Sequence, residues 1–127
     1  MAQHTALDSL IEFARGQRDD ALYRFAASVS QTRAVEERLS LLTGYRSEYA
    51  ARLDEISRGG VSVGQLRNFR LFLEKLDLAI LQQQQMTSSQ IEQLAERRAM
   101  WTNTETRLQG YAMLLDRRRA TDRTRLR

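Results

Sequence analysis

The sequence predicts an all-α fold: two long helices folded back on each other as an antiparallel coiled-coil hairpin. Three observations lead there. The 127 residues contain no proline and six glycines, while Leu, Ala, Arg, Gln and Glu dominate. These are strong helix formers, and their excess belongs to long helices and coiled coils. Two stretches then carry apolar residues every 3.5 positions, and one glycine-rich segment separates them. Residues 5–57 are predicted as the first helix, 58–63 as the turn, 64–116 or beyond as the second helix, and 117–127 as a basic tail, all in a single unit.

The first helix begins at Thr5, which with Asp8 has the spacing of an N-terminal cap. From Leu7 the chain steps alternately by four and three through Ile11, Ala14, Arg18, Ala21, Phe25, Ser28, Thr32, Val35, Leu39, Leu42, Arg46, Tyr49, Leu53 and Ile56. Eleven of these fifteen are apolar and the phase never slips. A straight helix drifts about 20° per heptad against such a repeat, so a strict one requires a partner helix in a left-handed supercoil.

The turn carries both a stop and a start signal. Gly59 or Gly60 can adopt the left-handed conformation that closes a helix. Ser62 and Gln65 have capping-box spacing, with Val61 and Leu66 at the hydrophobic-staple positions.

The second helix repeats the alternation through Leu66, Phe69, Leu73, Leu76, Ile80, Gln83, Thr87, Gln90, Leu94, Arg97, Trp101, Thr104, Leu108, Tyr111 and Leu115. Ten of these fifteen are apolar. A short turn forces the helices antiparallel, so facing residues have numbers totalling about 121 or 122. Both repeats obey this: Leu53 meets Phe69, Tyr49 meets Leu73, and Leu7 meets Leu115. At ~1.5 Å per residue each arm spans roughly 75 Å. In the middle, Ser28 and Thr32 fall opposite Gln90 to Leu94, with Thr87, Ser88 and Ser89 nearby. Two readings fit this polar stretch: a soft or bent middle, or polar residues that fix the register.

Charge and chemistry exclude several classes. From Asp116 onward six arginines face Asp116 and Asp122, a surplus that equals the net +4 of the whole chain. Such a tail frays or docks on an acidic partner; with no aromatic residue among its arginines, it does not suggest nucleic-acid binding. Cysteine is absent and the only histidine is His4. No phosphate-cradling loop is present, and two helices offer no deep cleft to shift a pKa. No catalytic residue, metal or cofactor is expected. No apolar run approaches the ~20 residues of a membrane span, and the N-terminus lacks a signal-peptide pattern, so a cytoplasmic location is expected.

One feature exceeds what the seam needs. Arg38, Leu42, Tyr45 and Tyr49 lie within about 60° on one helix face, at about 100° per residue. Phe72, Leu76, Ala79 and Gln83 form a matching stripe on the second helix. In the register above they pair as 38 with 83, 42 with 79, 45 with 76 and 49 with 72. The result is an apolar, aromatic band beside the seam, toward the turn. It reads either as a protein-binding surface or as a widened core. Leu71, Leu78 and Leu81 form another strip, fit for a second contact or for self-association, although a monomeric hairpin is expected.

The opening MAQHTALDSL, the step at Asp19-Asp20-Ala21, the segment Ala34 to Leu39, and above all Leu41-Leu42-Thr43-Gly44-Tyr45-Arg46-Ser47-Glu48-Tyr49 resemble the FliJ family. Phe72, Leu76 and Ala79-Ile80 continue the likeness, which covers roughly residues 1–115. The decapeptide and the Leu42, Tyr45, Tyr49 spacing are its most specific parts. The resemblance implies an antiparallel coiled coil that serves as the soluble stalk of the bacterial flagellar type III export apparatus, similar to the γ subunit of rotary ATPases. It implies three partners: the hexameric export ATPase, the cytoplasmic domain of the export-gate platform protein, and export chaperones that the stalk escorts. It implies peripheral association with the cytoplasmic face of the inner membrane. Gate contact falls on Arg38, Leu42, Tyr45, Tyr49, Phe72, Leu76, Ala79 and Gln83, of which Arg38 and Gln83 depart from the family's usual residues. Insertion into the ATPase ring falls on the end bearing both termini, with Leu7, Ile11, Arg15, Arg18, Tyr111, Arg117 and Arg118 as its residues. The competing readings are the equivalent stalk of a virulence type III secretion system and a general coiled-coil export chaperone.

Overall fold

A computed structural model describes residues 5–126; the first four residues of the opening decapeptide, His4 among them, and Arg127 of the basic tail lie outside the described residues. Two helices, α1 (Ala6–Arg58) and α2 (Val63–Arg125), account for nearly all of it, and they pack as an antiparallel hairpin.

Each helix end is explained by its own residues. At the start of α1, the Asp8 amide donates to Thr5 Oγ1 at 3.2 Å, while Asp8 Oδ2 accepts from the Thr5 amide and hydroxyl, both at 2.9 Å. This reciprocal cap occupies donors that a helix start leaves open, and the carboxylate sits at the positive end of the helix dipole. At the other end, the Gly59 amide is shared between the carbonyls of Glu55 and Ile56, at 3.2 and 3.1 Å. Gly60 then takes a φ of +81°, the left-handed value that lets the chain leave the helix. The sequence left the stop open between two glycines; the backbone assigns it to Gly60. Ser62 starts α2, its Oγ accepting from the Gln65 amide at 3.3 Å and its carbonyl from the Leu66 amide at 3.1 Å. The helix then continues to Arg125 through the arginine-rich stretch.

The chain divides into two compact units. The terminal unit comprises Met1–Val29 and Gln93–Arg127, and the turn unit comprises Ser30–Glu92. In the terminal unit Ile11, Ala14 and Leu108 form a buried cluster, with Leu7, Tyr111 and Leu115 packed against it. Leu7 and Leu115 thus pack against one cluster, in keeping with the register. Further along, Phe25 and Trp101 stack face to face with centroids 5.5 Å apart and planes 4° from parallel. Ala21 is buried beside them. In the turn unit Tyr49 lies 4.5 Å from Phe72 and 5.2 Å from Phe69, between ring centroids. The Tyr49 and Phe72 numbers total 121, the register read from the sequence.

The polar positions of the repeat point inward. Ser28 is buried in the terminal unit, and Thr32, Gln83 and Thr87 are buried in the turn unit. Gln83 Nε2 donates to the Val35 carbonyl on the opposite helix at 3.1 Å, and the Thr87 hydroxyl donates to the Gln83 carbonyl at 2.8 Å. Polar side chains can occupy a seam because they find partners there; unpaired, each would cost about 1–3 kcal/mol.

Candidate protein-binding surfaces

The band expected beside the seam lies entirely in the turn unit. Its side chains fall into two layers. Leu42, Tyr49, Leu76 and Ala79 are half-buried, because they stand at or next to seam positions. Tyr45 and Phe72 stand over the edge, 62% and 45% exposed. The Tyr49 ring packs against Phe72, with centroids 4.5 Å apart and planes tilted by 48°. Arg38 is exposed at one end of the band.

Gln83 was read both as a seam position and as the partner of Arg38 in the stripe; it is only 5% exposed and its amide donates to the Val35 carbonyl. It is a seam residue, and hydrogen bonding to a backbone acceptor outweighs solvation for a side chain that can reach one. Leu41 is the residue the sequence reading left out. It is 64% exposed and lies one turn before Tyr45, so it extends the apolar face outward. The signal was present in the i, i+4 spacing of Leu41 and Tyr45. Arg46, on the other side, donates from Nε to Asp77 Oδ1 at 2.9 Å. That hydrogen bond raises the Arg46 pKa further above its ordinary value.

The residues assigned to the terminal end divide differently. Ile11 is buried, and Leu7 and Tyr111, partly buried, pack on its cluster. Arg15, Arg117 and Arg118 are exposed. Arg18 is half-buried; its Nε pairs with Asp19 on the same helix at 2.7 Å, and its NH1 reaches across to Glu105 at 3.4 Å. The hydrogen bond to Asp19, then that to Glu105, raises the Arg18 pKa. A cation with a raised pKa adds stability below its unfolded value and loses it only at higher pH. For arginine that window lies far above neutrality, so these two bridges are constant across the physiological range.

Among the described residues no group of three His, Cys, Asp or Glu side chains is placed to hold a metal ion. No helix among them is long and apolar enough to cross a membrane. Tyr45 and Phe72 are exposed on the turn unit, and Arg15, Arg117 and Arg118 on the terminal unit. The two-helix fold defines the class: an antiparallel coiled-coil hairpin.

The sequence profile described as "Flagellar FliJ protein" matches residues 3–127. The chain belongs to the FliJ family. It is 28% identical over 120 residues to the flagellar FliJ protein of Salmonella typhi, covering 94% of this chain and 82% of that one. It is 26% identical over 117 residues to the flagellar FliJ protein of Escherichia coli (strain K12), covering 92% and 80%.

Proposed function

We propose that this chain is a non-catalytic coupling component of the flagellar type III export apparatus, a rod that joins the export ATPase to the export gate. The observation that carries this reading is the exposed pair Tyr45 and Phe72 in the turn unit, with Tyr49 packed against Phe72 at 4.5 Å. Rigid aromatic side chains beside half-buried aliphatic ones are what protein-binding hot spots are made of. On this reading Arg38, Leu42, Tyr45, Tyr49, Phe72, Leu76 and Ala79 meet the cytoplasmic domain of the gate platform, with Leu41 widening the contact. Gln83 supports the face from within.

The terminal unit engages the hexameric ATPase through its outward arginines, Arg15, Arg117 and Arg118. Leu7, Ile11 and Tyr111 hold the two helices together behind them, and Arg18 braces the pair. Binding the assembled ring better than its free subunits favours assembly by that difference in affinity, with no active site in the rod itself. The same surfaces serve to escort unloaded chaperones. The protein works in the cytoplasm, held at the inner membrane through its partners. The flagellar relatives favour this over a virulence stalk.

The test is a titration of the platform's cytoplasmic domain with Tyr45→Ala and Phe72→Ala variants. Truncating a hot-spot aromatic costs about 2 kcal/mol or more, roughly thirtyfold in affinity. Far-UV circular dichroism should be unchanged. Wild-type binding by both variants would remove the band from the gate, and loss of chaperone binding alone would turn the reading to an export chaperone. Pull-down of the ATPase with chains lacking residues 116–127 tests the other end.

A further inference from the structure

The terminal unit contains a groove that neither end of the coupling reading uses. It has a volume of about 330 Å³. Ala21 and Thr104, two short side chains on opposite helices, contribute to its lining.

Its walls are cationic. Arg24 and Arg97 stand at one end and Arg107 at the other. The single carboxylate in the lining, Asp20, lies 3.2 Å from Arg24, in a pair more than half exposed on both sides. An exposed pair one helical turn apart is weak, and it leaves two arginines without a counter-charge in the lining. Between the ends lies Met100, 54% exposed, an adaptable apolar contact. Arg97 and Arg107 are ten residues apart, about 15 Å along α2.

We propose that this groove is a docking site for an acidic helical segment of a partner protein, with carboxylates at both ends and one apolar side chain over Met100. Charge complementarity chooses the occupant. A carboxylate near Arg24 and Arg97, and another near Arg107, each gain a charge-assisted hydrogen bond. A nucleic-acid backbone would meet cations only at two separated points. The aromatic side chain nearest the groove, Trp101, is stacked on Phe25 and gives bases no platform.

The experiment titrates the full chain with a helical peptide of about fourteen residues, Glu near each end and Leu at the centre. The control peptide has Gln for each Glu. The acidic peptide should bind at least about tenfold more tightly, and Arg107→Glu should abolish about tenfold of that affinity. Met100→Glu, at an exposed site, should weaken binding similarly with helicity intact. The double change Arg67→Glu and Arg70→Glu, at exposed sites in the turn unit, should leave affinity unchanged. Equal binding of both peptides, indifference to Arg107→Glu and Met100→Glu, or an equal loss from the Arg67 and Arg70 change would overturn the proposal. So would tighter binding of a DNA duplex of matching length.

Discussion

The two units fill their interiors differently. The terminal unit buries Ile11, Ala14, Ala21 and Leu108 together with Ser28, and leaves Phe13 and Tyr23 exposed. The turn unit buries polar side chains, Thr32, Gln83 and Thr87, and keeps Tyr45 and Phe72 in solvent. One repeat thus gives two interiors. Apolar area withheld from the seam contributes less stability there. The turn unit makes good part of the difference with hydrogen bonds, such as Gln83 to Val35.

The largest expected effect tests the apolar half. Leu108→Ala should destabilise the protein by about 3 kcal/mol in urea unfolding, as large-to-small changes in closed cores do. Leu76→Ala in the turn unit removes a half-buried side chain and should cost about half as much. Equal costs would erase the contrast. Next comes Gln83→Leu, which exchanges an amide for an alkyl group of similar length. Its stability should change by no more than about 1 kcal/mol, because a net hydrogen bond and a net burial of that size nearly cancel. A loss of several kcal/mol would mean that the polar residues carry the turn unit's stability and not only its register. Trp101→Phe sharpens the terminal side. The indole Nε1 is buried with no hydrogen-bond partner. Losing that donor while keeping a ring against Phe25 should leave the melting temperature equal or slightly higher. The smallest effect is Tyr45→Ala, at most about 0.5 kcal/mol in stability, as expected of an exposed side chain.

Much of this was legible in the sequence. Two repeats read separately agreed on one register, and Tyr49 meeting Phe72 and Leu7 sharing a cluster with Leu115 follow it. Thr5 with Asp8 and Ser62 with Gln65 were readable as caps, because capping depends on neighbours within one turn. The face of a side chain was harder. Gln83 belongs to a seam position and to the outer stripe at once, and only the reach to the Val35 carbonyl decides between them. The same ambiguity holds for Ile11, which is buried at 6% exposure. The groove over Ala21 and Thr104 escaped entirely. A hollow is made by what two helices leave unfilled, and neither helix states that alone.

Gly60 carries a final consequence. Its φ of +81° is one that an L-residue enters only under strain, and no atom lies within 4 Å of where a side chain would begin. The obstacle is therefore handedness and not crowding. Replacing Gly60 with an L-residue should strain the reversal by about 1–2 kcal/mol, whereas D-alanine, its mirror image, would fit as built. A chain made by chemical synthesis with that one inverted centre would have fewer unfolded conformations to lose and should fold to a tighter, longer-lived bend.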